Sequence, residues 1–184
     1  MPDNCYISRI KDETMKKLIF TIAVALAALS TFPVNAQKSS LLGTKRSIVS
    51  VAVDNDNEFE IFSFDKDGDR DYYMGIGTDA KEDIFLFLGN TSAEAVAGME
   101  KIAEMFSAKE GTVREFPARL GTNLPLEGMK TVKVSAEKKG VTRKIQLRFT
   151  YKAEKGTVES VMQQNTSKTL VKFINSYNQR HPDR

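Results

Sequence analysis

The plainest hydrophobic signal in the chain is Ile84-Phe85-Leu86-Phe87-Leu88. Five consecutive apolar residues predict a strand buried on both faces. Val96, Met99, Ala103 and Phe106 then recur at helical spacing, which predicts a helix over about 92–107. Thr91, with Glu94 three residues on, has the sequence of a capping box. A strand with a helix folded against it is the seed of a two-layer core.

Elsewhere the pattern alternates. Val49, Val51 and Val53 share one face of a strand at about 48–53. Strands at about 58–66 and 69–77 flank Asp67-Gly68, a two-residue hairpin signal. Thr112–Phe116 reads as a short strand. The stretch 117–128, with Pro117, Gly121, Pro125 and Gly128, reads as an irregular connection. Further on, Val132, Val134 and Ala136 alternate with Lys133, Ser135 and Glu137. Ile145, Leu147, Phe149 and Tyr151 alternate with Lys144, Gln146, Arg148 and Thr150. These are two half-exposed antiparallel strands turning through Lys138-Lys139-Gly140. Val158–Met162 is a further strand. A second helix is expected over about 167–179, capped by Thr166 or Ser167, with Leu170, Ile174 and Tyr177 on one face.

The expected fold class is therefore α+β: a mostly antiparallel sheet of about seven strands with two helices on one face. Asn90-Thr91-Ser92 opens the first helix and Asn165-Thr166-Ser167 the second, 75 residues later. Two related strand–strand–helix units would explain the echo, and so would chance, since these residues are common helix caps. Phe85 and Phe87 point away from Ile84, Leu86 and Leu88 and need cover of their own, from a curled sheet or a partner subunit.

The first 36 residues are expected to be a leader and its preface. Met15-Lys16-Lys17 supplies a positive start, Leu18–Leu29 is apolar apart from Thr21, and Val34-Asn35-Ala36 supplies small residues for a signal peptidase. The apolar run falls well short of the roughly 20 residues that span a bilayer. The expectation is a bacterial-type secretory signal over 15–36, cleaved after Ala36. That leaves a periplasmic or secreted protein with no membrane span. Residues 1–14 carry Asp3, Asp12 and Glu13, unlike a leader, and read as an artefact of start-site choice. A flexible linker over 37–46, one α+β domain over 47–180 and a tail over 181–184 complete the division.

The remaining composition excludes chemistry. Cys5 is the only cysteine and precedes the leader, so the exported chain has neither disulfide nor thiol nucleophile. His181, near the C-terminus, is the only histidine. Ser-His-Asp and Cys-His catalysis and His/Cys zinc sites are thereby excluded. No glycine-rich phosphate loop is present, and no cofactor is expected. Carboxylate catalysis and oxygen-ligated metals remain.

Asp65, Asp67, Asp69 and Asp71 resemble the start of a calcium loop. The match fails at Gly68, fourth where glycine should be sixth, and at Ile76, twelfth where a bidentate Glu belongs. A tight hairpin explains more. With the turn at Asp67-Gly68, Lys66 faces Asp69, Asp65 faces Arg70 and Phe62 faces Tyr73. One face then collects Phe59, Ile61, Tyr72, Met74 and Ile76. Asp65 points to one side, Asp69 and Asp71 to the other, so they do not close readily around one ion.

Charge is divided unevenly. Residues 37–128 hold 10 Lys/Arg and 17 Asp/Glu, a net of −7, and residues 129–184 hold 13 and 4, a net of +9. Lys133, Lys144, Arg148 and Lys152 all fall on the outward side of the second-half alternation. Such a stripe suits an anionic polysaccharide, a lipid headgroup surface or an acidic protein. It lacks the interleaved exposed aromatics that would suit nucleic acid. The expectation is a small non-enzymatic envelope module that binds an anion through this sheet face, with homo-oligomers left open. Two other readings compete: an enzyme using the acidic half, and an assembly subunit joined through the strand 84–88 face.

Overall fold

The computed structural model describes residues 43–54, 57–78, 80, 82–126, 128–140 and 144–182. The expected leader lies outside them. The elements are β1 (Thr44–Asp54), β2 (Asn57–Lys66), β3 (Asp69–Ile76), β4 (Asp83–Gly89), α1 (Ser92–Glu104), β5 (Val113–Gly121), β6 (Lys130–Lys139), β7 (Lys144–Ala153), β8 (Gly156–Gln163) and α2 (Gln164–Arg180). All eight strands form one antiparallel sheet whose spatial order is the chain order. The class is the expected α+β, with eight strands rather than about seven.

One face of this half-barrel is covered by both helices. Ala95, Met99 and Ile102 of α1 and Leu170 and Ile174 of α2 meet residues from the sheet, among them Phe59, Ile61, Met74, Leu86, Val134 and Phe149. Each large side chain buried here contributes about 1.5–3 kcal/mol relative to exposure. The helices also touch each other, where Ser92 Oγ donates to Asn178 Oδ1 at 2.6 Å, and the Tyr177 ring of α2 meets Tyr72 of β3 edge to face at 6.4 Å.

The β2–β3 hairpin has the expected register, Phe62↔Tyr73, Asp65↔Arg70 and Lys66↔Asp69. Asp67 and Gly68 both have positive φ, 55° and 94°, as a two-residue turn matched to strand twist demands. Phe59, Ile61, Tyr72, Met74 and Ile76 are all fully buried on the helix side. At α1 the Thr91 side chain accepts from the Glu94 amide at 3.1 Å and Glu94 reaches back to the Thr91 amide, completing the capping box. The last turn tightens into a 3-10 turn over Met105–Ser107.

Four expectations need correction. Residues 44–46, expected to fall in the linker, belong to β1, which begins at Thr44. Lys45 and Arg46 are pinned by ion pairs to Glu60 and Asp65. The strand near 112–116 runs on through Pro117 to Gly121. Proline fits because β5 changes partner there. Val113–Ala118 pairs with β6, whereas pairing with β4 begins only at Ala118. The second helix starts at Gln164, directly after β8, and its N-cap Gln163 makes no side-chain cap bond. Thr166 and Ser167 are buried in its first turn instead of capping it. Finally, Phe85 finds its cover within the chain itself. It packs with Phe62, Phe64 and Tyr73, and Leu124 from the loop after β5 lies over them. Gly121 permits this fold-back, since a Cβ there would stand 1.8 Å from the Leu124 carbonyl oxygen.

Four strands then a helix occur twice, and the core keeps step across the two halves. Phe59, Ile61, Tyr72, Met74 and Ile76 have Val134, Ala136, Leu147, Phe149 and Tyr151 as counterparts 75 residues on, all buried. Ala95 and Met99 have Leu170 and Ile174.

Candidate functional site

The basic stripe sits on the face opposite the helices, and its members differ in their surroundings. Arg148 lies between two carboxylates, with its guanidinium 3.0 Å from both Glu137 and Glu159, and the Glu137 bond raises its pKa further. Lys133 stands 3.8 Å from Glu115. Lys144 and Lys152, both exposed, occupy opposite ends of β7, separated by roughly 26 Å at about 3.3 Å per residue. The face is a mixture of charges rather than a continuous basic strip.

Lys144 lines a pocket. In the β6–β7 ladder it stands directly opposite Lys139. Like charges opposed across a ladder are destabilising. The pocket around them has a volume of about 390 Å³ and is completed by Phe106, Ile145, Gln146, Gln163, Gln164 and Asn165. No carboxylate is among these lining residues. The α2 N-terminus enters here with no acidic residue in its first turn. Its leading amides and dipole favour negative charge.

The corresponding place in the first half is also a groove, of about 650 Å³. Phe64, Asp69, Arg70, Asp71 and Asn90 line it, and 75 residues on stand Lys139, Lys144, Ile145, Gln146 and Asn165 of the basic pocket. The chemistry is different. Asp71 accepts from Asn90 Nδ2 at 2.6 Å and from the Tyr73 hydroxyl at 3.1 Å. Burial, then the Asp71 charge, pushes the Tyr73 phenol up to about 12, while Arg119 on β5 opposes the shift. The phenol is thus a hydrogen-bond donor at neutral pH.

The other candidate metal ligands are separated as the hairpin register requires. Asp65 pairs with Arg70 at 2.6 Å and Arg46 at 3.2 Å on the helix side, while Asp71 lies on the other. Among the described residues no group of three or more His, Cys, Asp or Glu side chains is arranged to hold a metal ion. Nor is any helix among them long and apolar enough to cross a membrane.

The β6–β7 pocket was only half visible in the sequence. Lys144 stood out by alternation. Lys139, Gln163, Gln164 and Asn165 did not, because they meet Lys144 through the ladder and the loop-free passage from β8 into α2. Comparison with known protein families, curated proteins and solved structures finds no match.

Proposed function

We propose that this chain is a small, exported, non-catalytic binding module that holds an anionic group in the β6–β7 pocket. The observation that carries the reading is the pocket at the start of β7, where Lys139 and Lys144 stand opposite each other beside the α2 N-terminus. A bound phosphate, sulfate or carboxylate would meet two cationic side chains and accept from the α2 N-terminus and the neighbouring amides. Polysaccharides, lipid headgroups and acidic proteins all carry such groups. Lys133 and Lys152 lie outside this pocket, and Arg148 serves chiefly to hold Glu137 and Glu159. The shared 75-residue spacing of core and pocket supports an internal duplication in which one copy acquired this charge.

Titration with inorganic sulfate and with a heparin fragment, followed by amide chemical shifts, tests the site. Shifts should centre on Lys139, Lys144 and Asn165, weaken with salt because exposed charges are screened within about 8 Å, and vanish in K139E/K144E. Shifts spread evenly over β6 and β7, or unchanged in that variant, would remove the pocket from consideration. Export rests on the leader pattern. N-terminal sequencing of the envelope product should begin at Gln37, and retention of Leu18–Leu29 would refute it.

A further inference from the structure

The first-half groove is a second and independent place to look for a ligand. Its polar groups are of opposite sign and lie close together. Asp71 presents a carboxylate that accepts two hydrogen bonds, from Asn90 and Tyr73, which leaves lone pairs for another donor. Arg119, on β5, lines the same groove as Asp71 and Tyr73 and acts on the Tyr73 phenol, so a cation and an anion reach this groove from strands on either side of β4. Beyond them stands an apolar wall, where Leu126 is 59% exposed beside the buried Pro125. An exposed leucine beside a groove of about 650 Å³ is an apolar surface that a ligand of modest size would cover.

We propose that this groove binds the termini of amino acids or short peptides. The ligand ammonium would sit on Asp71, its carboxylate on Arg119, and a side chain or backbone would lie against Leu126. A simple anion would meet the Asp71 carboxylate, and a simple cation the Arg119 guanidinium. A ligand carrying both charges complements both ends. The Tyr73 hydroxyl, protonated at neutral pH, lies between the two groups as a positioning residue.

Calorimetric titration of the protein with alanyl-leucine, its N-acetyl derivative and its C-terminal amide tests the assignment. The free dipeptide should bind. Each blocked form should bind about tenfold more weakly or worse, the usual cost of losing one charged hydrogen bond. Asp71→Asn keeps the shape of the carboxylate and should erase the difference between the dipeptide and its N-acetyl form. Arg119→Gln should erase the difference between the dipeptide and its amide. Binding should persist in K139E/K144E, which separates this groove from the anion pocket. No binding of the free dipeptide at millimolar concentration, or equal binding of all three forms, would overturn the proposal. The blocked ligands decide the matter on the unmodified protein even if a variant fails to fold.

Discussion

The β2–β3 and β6–β7 hairpins hold the same place in their halves and differ in how their rims are treated. The first closes with complementary charges, Lys66↔Asp69 and Asp65↔Arg70, over a two-residue turn. In the second, Lys139 faces Lys144. Inward positions agree between the halves because the core must be filled on both sides. Outward positions are free to diverge, and there Asp69 and Asp71 of one half stand where Lys144 and Gln146 stand in the other. A local rule obeyed in one hairpin and departed from in its counterpart is the contrast on which the proposed anion site rests.

The sharpest way to break this comparison is at the core. Phe149→Ala should cost about 3–5 kcal/mol, and Met74→Ala, its counterpart, about 2–5 kcal/mol. Both should shift one common urea transition. A biphasic curve for either would mean that the halves unfold separately.

Alkaline pH should separate the halves next. The folded pKa of Tyr73 lies above its ordinary value, so its contribution is complete below pH 10 and is lost as pH rises toward 12. Two pH units correspond to about 2–3 kcal/mol. Tyr73→Phe should remove that extra loss, seen as the difference between the two stability profiles. Superimposable profiles would contradict it.

A smaller effect concerns the helix starts. α1 has a complete capping box and α2 has no side-chain cap. Gln163→Asp should stabilise α2 by about 1 kcal/mol while weakening sulfate binding, because the new carboxylate occupies the anion's place. A gain in both would argue against the pocket.

The smallest effect is at the closing pairs. Lys144→Glu should stabilise the β6–β7 hairpin and Asp69→Lys should destabilise β2–β3, each by about 0.2–1 kcal/mol, and both changes should shrink in high salt. Melting temperatures at low and high salt would show a reversed order if the opposed lysines were harmless.

Much of the architecture was legible because burial imposes period two on strands and period 3.6 on helices. The β2–β3 register followed from Asp67-Gly68 alone, and the Thr91 cap from four residues. What escaped depended on partners distant in sequence. Pro117 argues for a break unless one knows that β5 leaves β4 at that point. Thr166 and Ser167 look like caps unless one knows that β8 passes into α2 without a loop. Of the proposed anion site, Lys144 was visible and its setting was not, and Arg148 counted as a free cation until Glu137 and Glu159 were placed beside it. The groove at Asp71 and Tyr73 needed Arg119 from β5, which no local pattern joins to them.

Because spatial order repeats chain order, each strand can zip onto the one before it, and most loop closures are short. Long-range closure falls to α2, which packs on β1 and β2 and so joins the last element to the first. Such a topology has low contact order for a sheet of this size and should fold quickly, with few traps. The ladder can assemble progressively, but the part of the core over β1 and β2 stays open until the final helix arrives. Docking of α2 is then the late, committing step, and a chain ending at Gln163 would hold paired strands around an apolar face that α1 covers only in part.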